Sequence, residues 1–111
     1  MSVDDGIYRA VFESEKTVIG EGIVMARKGK LHGGDSVCVY RGEYRLEEDR
    51  IRAEVVRYNK DEPTIFGSLN YYTFTLERDE DEGRLSFSGP VEQQPDNTIT
   101  VELTWLGFLI G

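Results

Sequence analysis

The chain has 111 residues, 21 of them acidic and 13 basic, for a formal charge of −8 at pH 7. A chain of that length folds as one domain and buries roughly two-thirds of its unfolded surface, enough for one core but not for a large enclosed active site as well. The negative charge repels phosphate backbones, so direct nucleic-acid binding is not expected, whereas an acidic surface suits a basic protein partner.

Cys38 is the only cysteine, which excludes an intrachain disulfide and a disulfide-stapled secreted scaffold. The opening MSVDDGIYRAVF carries two acids where a signal peptide carries positive charge, and no apolar run approaches the roughly 18 residues of a membrane span. The expected compartment is the cytoplasm, with no membrane partner.

In chain order, 6–14 and 18–27 read as strands, and Arg27-Lys28-Gly29-Lys30 reads as a turn at the end of the second, its Gly29 able to take positive φ. Both strands are apolar on two sides: Tyr8, Ala10 and Phe12 against Ile7 and Val11, then Ile19, Ile23 and Met25 against Val18 and Val24. Such strands need cover on both faces. Either the C-terminal Leu106, Phe108, Leu109 and Ile110 or a second copy of the chain supplies it, and a homodimer is expected.

A short strand around Leu31 and His32 comes next. His32-Gly33-Gly34-Asp35 is the one place where a histidine stands near a carboxylate, so a general-base hypothesis would begin there. No Ser or Cys nucleophile accompanies it, and Gly33-Gly34 is explained by a turn or bulge needing unusual φ. The expectation is a protein without catalytic residues.

Alternation resumes with Cys38, Tyr40, Gly42, Tyr44 and Leu46 inward and Val37, Val39, Arg41, Glu43 and Arg45 outward, and continues after Glu47-Glu48-Asp49-Arg50 with Ile51, Ala53 and Val55 inward. On that face Cys38 behaves as a small hydrophobe. The loop 60–70 is too long for a tight hairpin, and its Ile65, Phe66 and Leu69 are expected to cap the open end of a curled sheet.

Farther on, 71–77 places Tyr72, Phe74 and Leu76 inside, Asp79 to Gly83 forms a solvated connection, and 84–88 places Leu85 and Phe87 inside. The clearest alternation is Ile99, Val101, Leu103 and Trp105 against Thr98, Thr100, Glu102 and Thr104. About eight strands with short connections make an antiparallel meander, and such a sheet curls into a barrel or half-barrel.

Two groups of side chains stand out as sites. Tyr40, Tyr44, Phe74, Phe87 and Trp105 are expected to line the interior, where they either fill it or surround a small apolar ligand, which makes a lipid-like carrier or sensor the second functional reading. The acidic tip of Glu47, Glu48 and Asp49 is a ready contact for a basic helix. No metal or other cofactor is expected, because one His and one Cys cannot supply a zinc tetrad and Asp79 to Glu82 lack the spacing of a calcium loop.

Five short motifs occur in order: Asp5-Gly6-Ile7-Tyr8, Gly20-Glu21-Gly22-Ile23-Val24, Gly33-Gly34-Asp35, Tyr40-Arg41-Gly42 and Arg57-Tyr58-Asn59. Together they resemble the GrlR-like negative regulators associated with type III secretion, closely over about the first sixty residues and more loosely beyond. The resemblance implies a lipocalin-like antiparallel β-barrel, a dimer, and anti-activation, in which the barrel binds a helix-turn-helix transcriptional activator and keeps it off DNA. It also implies a contact at the exposed run Glu-Asp-Glu-Asp, whose places Glu47, Glu48, Asp49 and Arg50 occupy here by register. Arg50 reverses the charge of the fourth.

Overall fold

The computed structural model describes residues 2–15, 17–61, 70–80 and 83–111. They form eight strands: β1 (Gly6–Ser14), β2 (Thr17–Arg27), β3 (Lys30–Gly34), β4 (Cys38–Arg45), β5 (Arg50–Arg57), β6 (Tyr71–Arg78), β7 (Leu85–Val91) and β8 (Gln94–Gly107). Each pairs antiparallel with its neighbour in sequence, and β8 returns to β1, so the meander is a closed barrel rather than a half-barrel. Closure satisfies the backbone groups that open sheet edges would leave unpaired. The caps expected from Ile65, Phe66 and Leu69 lie outside the described residues, as do Asp81 and Glu82.

Period-two alternation sets the inner surface. Across the barrel, Gly6, Ala26, Leu31, Gly42, Ala53, Phe74 and Val91 stand opposite one another in one inner row, and Tyr8, Val24, Gly33, Tyr40, Val55 and Tyr72 in the next. Large rings thus alternate with positions that carry little or no side chain, which lets a small barrel fill its own interior. Phe87 and Leu76 are wholly buried. Truncating either to alanine removes packing worth about 2–5 kcal/mol.

The β2–β3 hairpin turns on Lys28 and Gly29, with φ of 49° and 79°. Two consecutive residues with positive φ match the right-handed twist of the strands they join. Gly33 and Gly34, by contrast, do not form a turn. They lie inside β3 without positive φ, and Gly33 is required because a Cβ there would stand 1.9 Å from the carbonyl oxygen of Ile23 on β2.

Several facing assignments change. A bulge opposite Phe12 and Glu13 lets Ile19 pack against the core, and beyond it Val24 and Ala26 point inward while Ile23 and Met25 point out. The extra residue inverts the alternation read directly along 18–27. Leu46 leaves the inner face as β4 ends and is 65% exposed. Phe108 and Ile110 of the C-terminal tail cover neither early strand, being 83% and 98% exposed, although the Ile110 carbonyl accepts a hydrogen bond from Arg27 at the end of β2.

Candidate partner-binding site

The β4–β5 connection, residues 46–49, is the acidic tip, and its four residues of interest have different surroundings. Asp49 has φ of 50°, which directs its carboxylate back toward the barrel. There Oδ1 accepts the Tyr44 hydroxyl at 2.7 Å, and Oδ2 lies 3.7 Å from Arg78 Nη1. The Arg78 guanidinium sits 5.6 Å over the Phe87 ring, and Phe87 meets the Tyr44 ring edge-on at 6.0 Å. These four side chains close a cycle across the barrel mouth. Burial, reinforced by the bond to Asp49, pushes the Tyr44 phenol up to about 12.

Arg50 uses one terminal nitrogen on Glu48, at 3.2 Å, and the other on Glu77 of β6, at 2.9 Å. Such exposed pairs contribute roughly 0–1 kcal/mol each. Their larger effect is to neutralise Glu48 locally. Glu47 has no ion pair or side-chain hydrogen bond among the described residues, and it projects beside exposed Leu46. Of the four positions, then, Asp49 is a clamp, Arg50 a tie to β6, Glu48 a paired acid and Glu47 a free one.

The interior rings are placed as expected, with one exception. Tyr40, Tyr44, Phe74 and Phe87 are buried and pack among aromatic neighbours, with Phe12 to Tyr40 at 4.9 Å and Tyr72 to Phe74 at 6.3 Å. Trp105 is instead 42% exposed. It keeps the inward phase of β8 but stands at the rim, where its ring lies over Gly6; a Cβ there would be 2.1 Å from the ring. It meets Tyr8 edge-on at 5.5 Å and Phe108 at 5.1 Å.

At the other mouth Asp35 joins two of the sequence motifs. Its Oδ1 accepts the backbone N–H groups of Val37 and Cys38, each at 2.7 Å, its Oδ2 accepts the Tyr40 hydroxyl, and its carbonyl accepts the Tyr58 hydroxyl at 2.7 Å. Burial, with the bond to Asp35 next, raises the Tyr40 phenol far above its ordinary range. His32 is exposed on the outer face of β3, so Asp35 serves the fold and not the histidine. Burial also pushes the Cys38 thiol up to about 11.

Outside the barrel an apolar row crosses five strands in register: Ile23, Gly34, Val39, Val56 and Tyr71. Its four side chains are exposed. Two ion pairs flank it, Arg9 with Glu21 at 2.6 Å and Arg41 with Glu54 at 3.3 Å.

Sequence reasoning did not anticipate Arg78 in the mouth, although a signal was present. The alternation Tyr72, Phe74, Leu76, carried one step further, points Arg78 inward. The rim position of Trp105 had no such signal. Among the described residues there is no helix long and apolar enough to cross a membrane. No protein-family model matches the chain, and no curated protein matches it.

Proposed function

We propose that the chain is a non-enzymatic regulatory protein of the cytoplasm that binds and restrains a basic protein partner. The partner that the motif resemblance implies is a helix-turn-helix transcriptional activator. The observation that carries the reading is the tip. Leu46 and Glu47 project into solvent from a turn whose backbone is anchored by Asp49 on Tyr44 and Arg78. An apolar side chain beside an unpaired carboxylate, held in advance, loses little conformational freedom on docking and draws a basic helix by charge. Interior rings that pack on their own neighbours favour this reading over a carrier of an apolar ligand.

The same reading takes the outer row from Ile23 to Tyr71 as the contact between two copies. Because the flanking Arg9–Glu21 and Arg41–Glu54 pairs are internally neutral, they add little to the repulsion between two chains of charge −8 that meet there. The test is affinity capture from extract of the cells that make the protein, at low and high salt, with the wild-type chain and a Glu47→Lys/Glu48→Lys variant as baits. A basic protein captured at low salt, released at high salt and lost with the variant is expected. Capture unaffected by the charge reversal would sink the assignment of the tip.

A further inference from the structure

We propose that the hollow beside Trp105 receives a cationic side chain, arginine or lysine, of the same basic partner, and so forms the second half of a contact that begins at the tip. The inference rests on the partner-binding reading above. Tyr8, Leu85, Leu103 and Trp105 give the hollow its apolar wall, and Asp4, Arg84 and Glu102 its charges; its volume is about 370 Å³. That is near the small end of ligand sites, which run from about 300 to 1,000 Å³, and suits one long side chain rather than a lipid.

Three observations point to a cation. Trp105 is the large aromatic of the rim, and its exposed ring is a surface on which a guanidinium or ammonium group is attracted by the ring quadrupole. Arg84 lies 3.4 Å from Glu102, which leaves Asp4 as the carboxylate of the hollow with no ion pair among the described residues. Asp4 and Ser2 also line a neighbouring hollow of about 420 Å³ that extends to Leu46 and Glu47. The two hollows share Asp4, whose carboxylate accepts only the Ser2 hydroxyl among the described residues, and they lead from Trp105 to Glu47 and Leu46; along the second the acids Asp4, Asp5, Glu43 and Glu47 outnumber the bases Lys28 and Arg45. A basic amphipathic helix presents the complementary series, with apolar and cationic residues on one stripe.

Trp105 is the single tryptophan of the chain, so its emission reports this hollow alone. The probe is a synthetic peptide of about 18 residues, long enough to be helical, with Leu on one stripe and Arg beside it. Added at low salt, it should change the Trp105 emission as it binds. Anisotropy of the labelled peptide should show affinity weakened about tenfold in Trp105→Leu and about as much in Asp4→Asn, an exposed change that leaves the wall intact.

Each alternative result is decisive. If the peptide binds with unchanged Trp105 emission and both variants bind as wild type, the hollow is not used, while loss of binding in Glu47→Lys would still uphold the tip. Weakening in Trp105→Leu and Asp4→Asn without any in Glu47→Lys/Glu48→Lys would uphold the hollow and overturn the tip. A peptide with Gln in place of Arg that binds equally well would overturn the cationic assignment. Absence of binding at low salt would overturn both.

Discussion

Tyr44 and Asp49, the one near the end of β4 and the other closing the turn after it, are joined by a 2.7 Å hydrogen bond that turns the last acid of the tip into part of the barrel. A run of three carboxylates therefore divides into a structural residue and two that face solvent. Tyr44→Phe should lower stability by about 1.5 kcal/mol, the contribution of a bond to a charged acceptor. Asp49→Ala should lower it further, because Arg78 and Tyr44 both lose an acceptor. Since the two changes remove the same bond, their effects should fall short of additivity by about 1 kcal/mol in urea unfolding. Strict additivity would mean that Asp49 does not clamp the tip.

Gly33 and Gly20 both face inward in glycine-led motifs, yet they should respond differently to alanine. At Gly33 the new Cβ would stand 1.9 Å from the Ile23 carbonyl oxygen and 2.8 Å from Val24 Cα, and backbone cannot step aside as a flexible side chain can. At Gly20 the nearest atom is 3.9 Å away, an ordinary contact. Gly33→Ala should cost more than about 4 kcal/mol, a large share of a domain's stability, and Gly20→Ala less than about 1 kcal/mol. Thermal unfolding of the two variants compares them directly. Equal shifts would contradict the close approach of β3 to β2.

These residues also explain what the sequence disclosed. Where alternation is unbroken, as from Tyr72 to Leu76 and from Ile99 to Leu103, it reports the inner face directly, because the side-chain period of a strand is two. At Ile19 an added residue reverses the phase, and at Gly33-Gly34 glycine marks strand packing instead of a turn. Pro90 and Pro95 lie inside β7 and β8, where missing N–H groups argue against strand, so both elements are longer than expected. The tip was visible as composition. Its division was not, because the groups that divide it, Arg78 and Glu77, lie 27 or more positions away and become neighbours only when β5 pairs with β6.

Cys38 should be silent toward thiol reagents in the folded chain. Burial first, then the nearby Asp35 charge, pushes its pKa from 9.0 to about 11, so the reactive thiolate is scarce at neutral pH. Ellman's reagent should label it only after denaturation. Because the folded state holds this proton more tightly than the unfolded chain, the associated stability is whole below pH 9 and is lost as pH rises through 11. Tyr44, raised to about 12, and Tyr40 and Tyr72, raised further, act in the same direction. Urea midpoints should therefore fall steadily above pH 9, and rapid labelling of native Cys38 at pH 7 would contradict its burial.

The two proposed contacts should respond to salt in opposite senses. At the tip the proposed partner is basic, and screening weakens attraction between unlike charges, so that complex should loosen as ionic strength rises. In the proposed dimer the outer row would join two copies that each carry −8, and their mutual repulsion is relieved by the same screening. With a Debye length of about 10 Å at 0.1 M salt and about 3 Å at 1 M, the dimer should tighten over that range while its apolar contacts are little affected. Val56→Lys places a charge in the middle of the row, between Val39 and Tyr71, where a second copy would have to bury it unpaired. Light scattering should show the wild-type chain moving toward dimer between 0.1 and 1 M salt and the Val56→Lys chain remaining a monomer at both. A dimer that survives this substitution would have to use another face, and a wild-type chain that stays monomeric at high salt would leave the row as exposed apolar surface with no second copy to cover it.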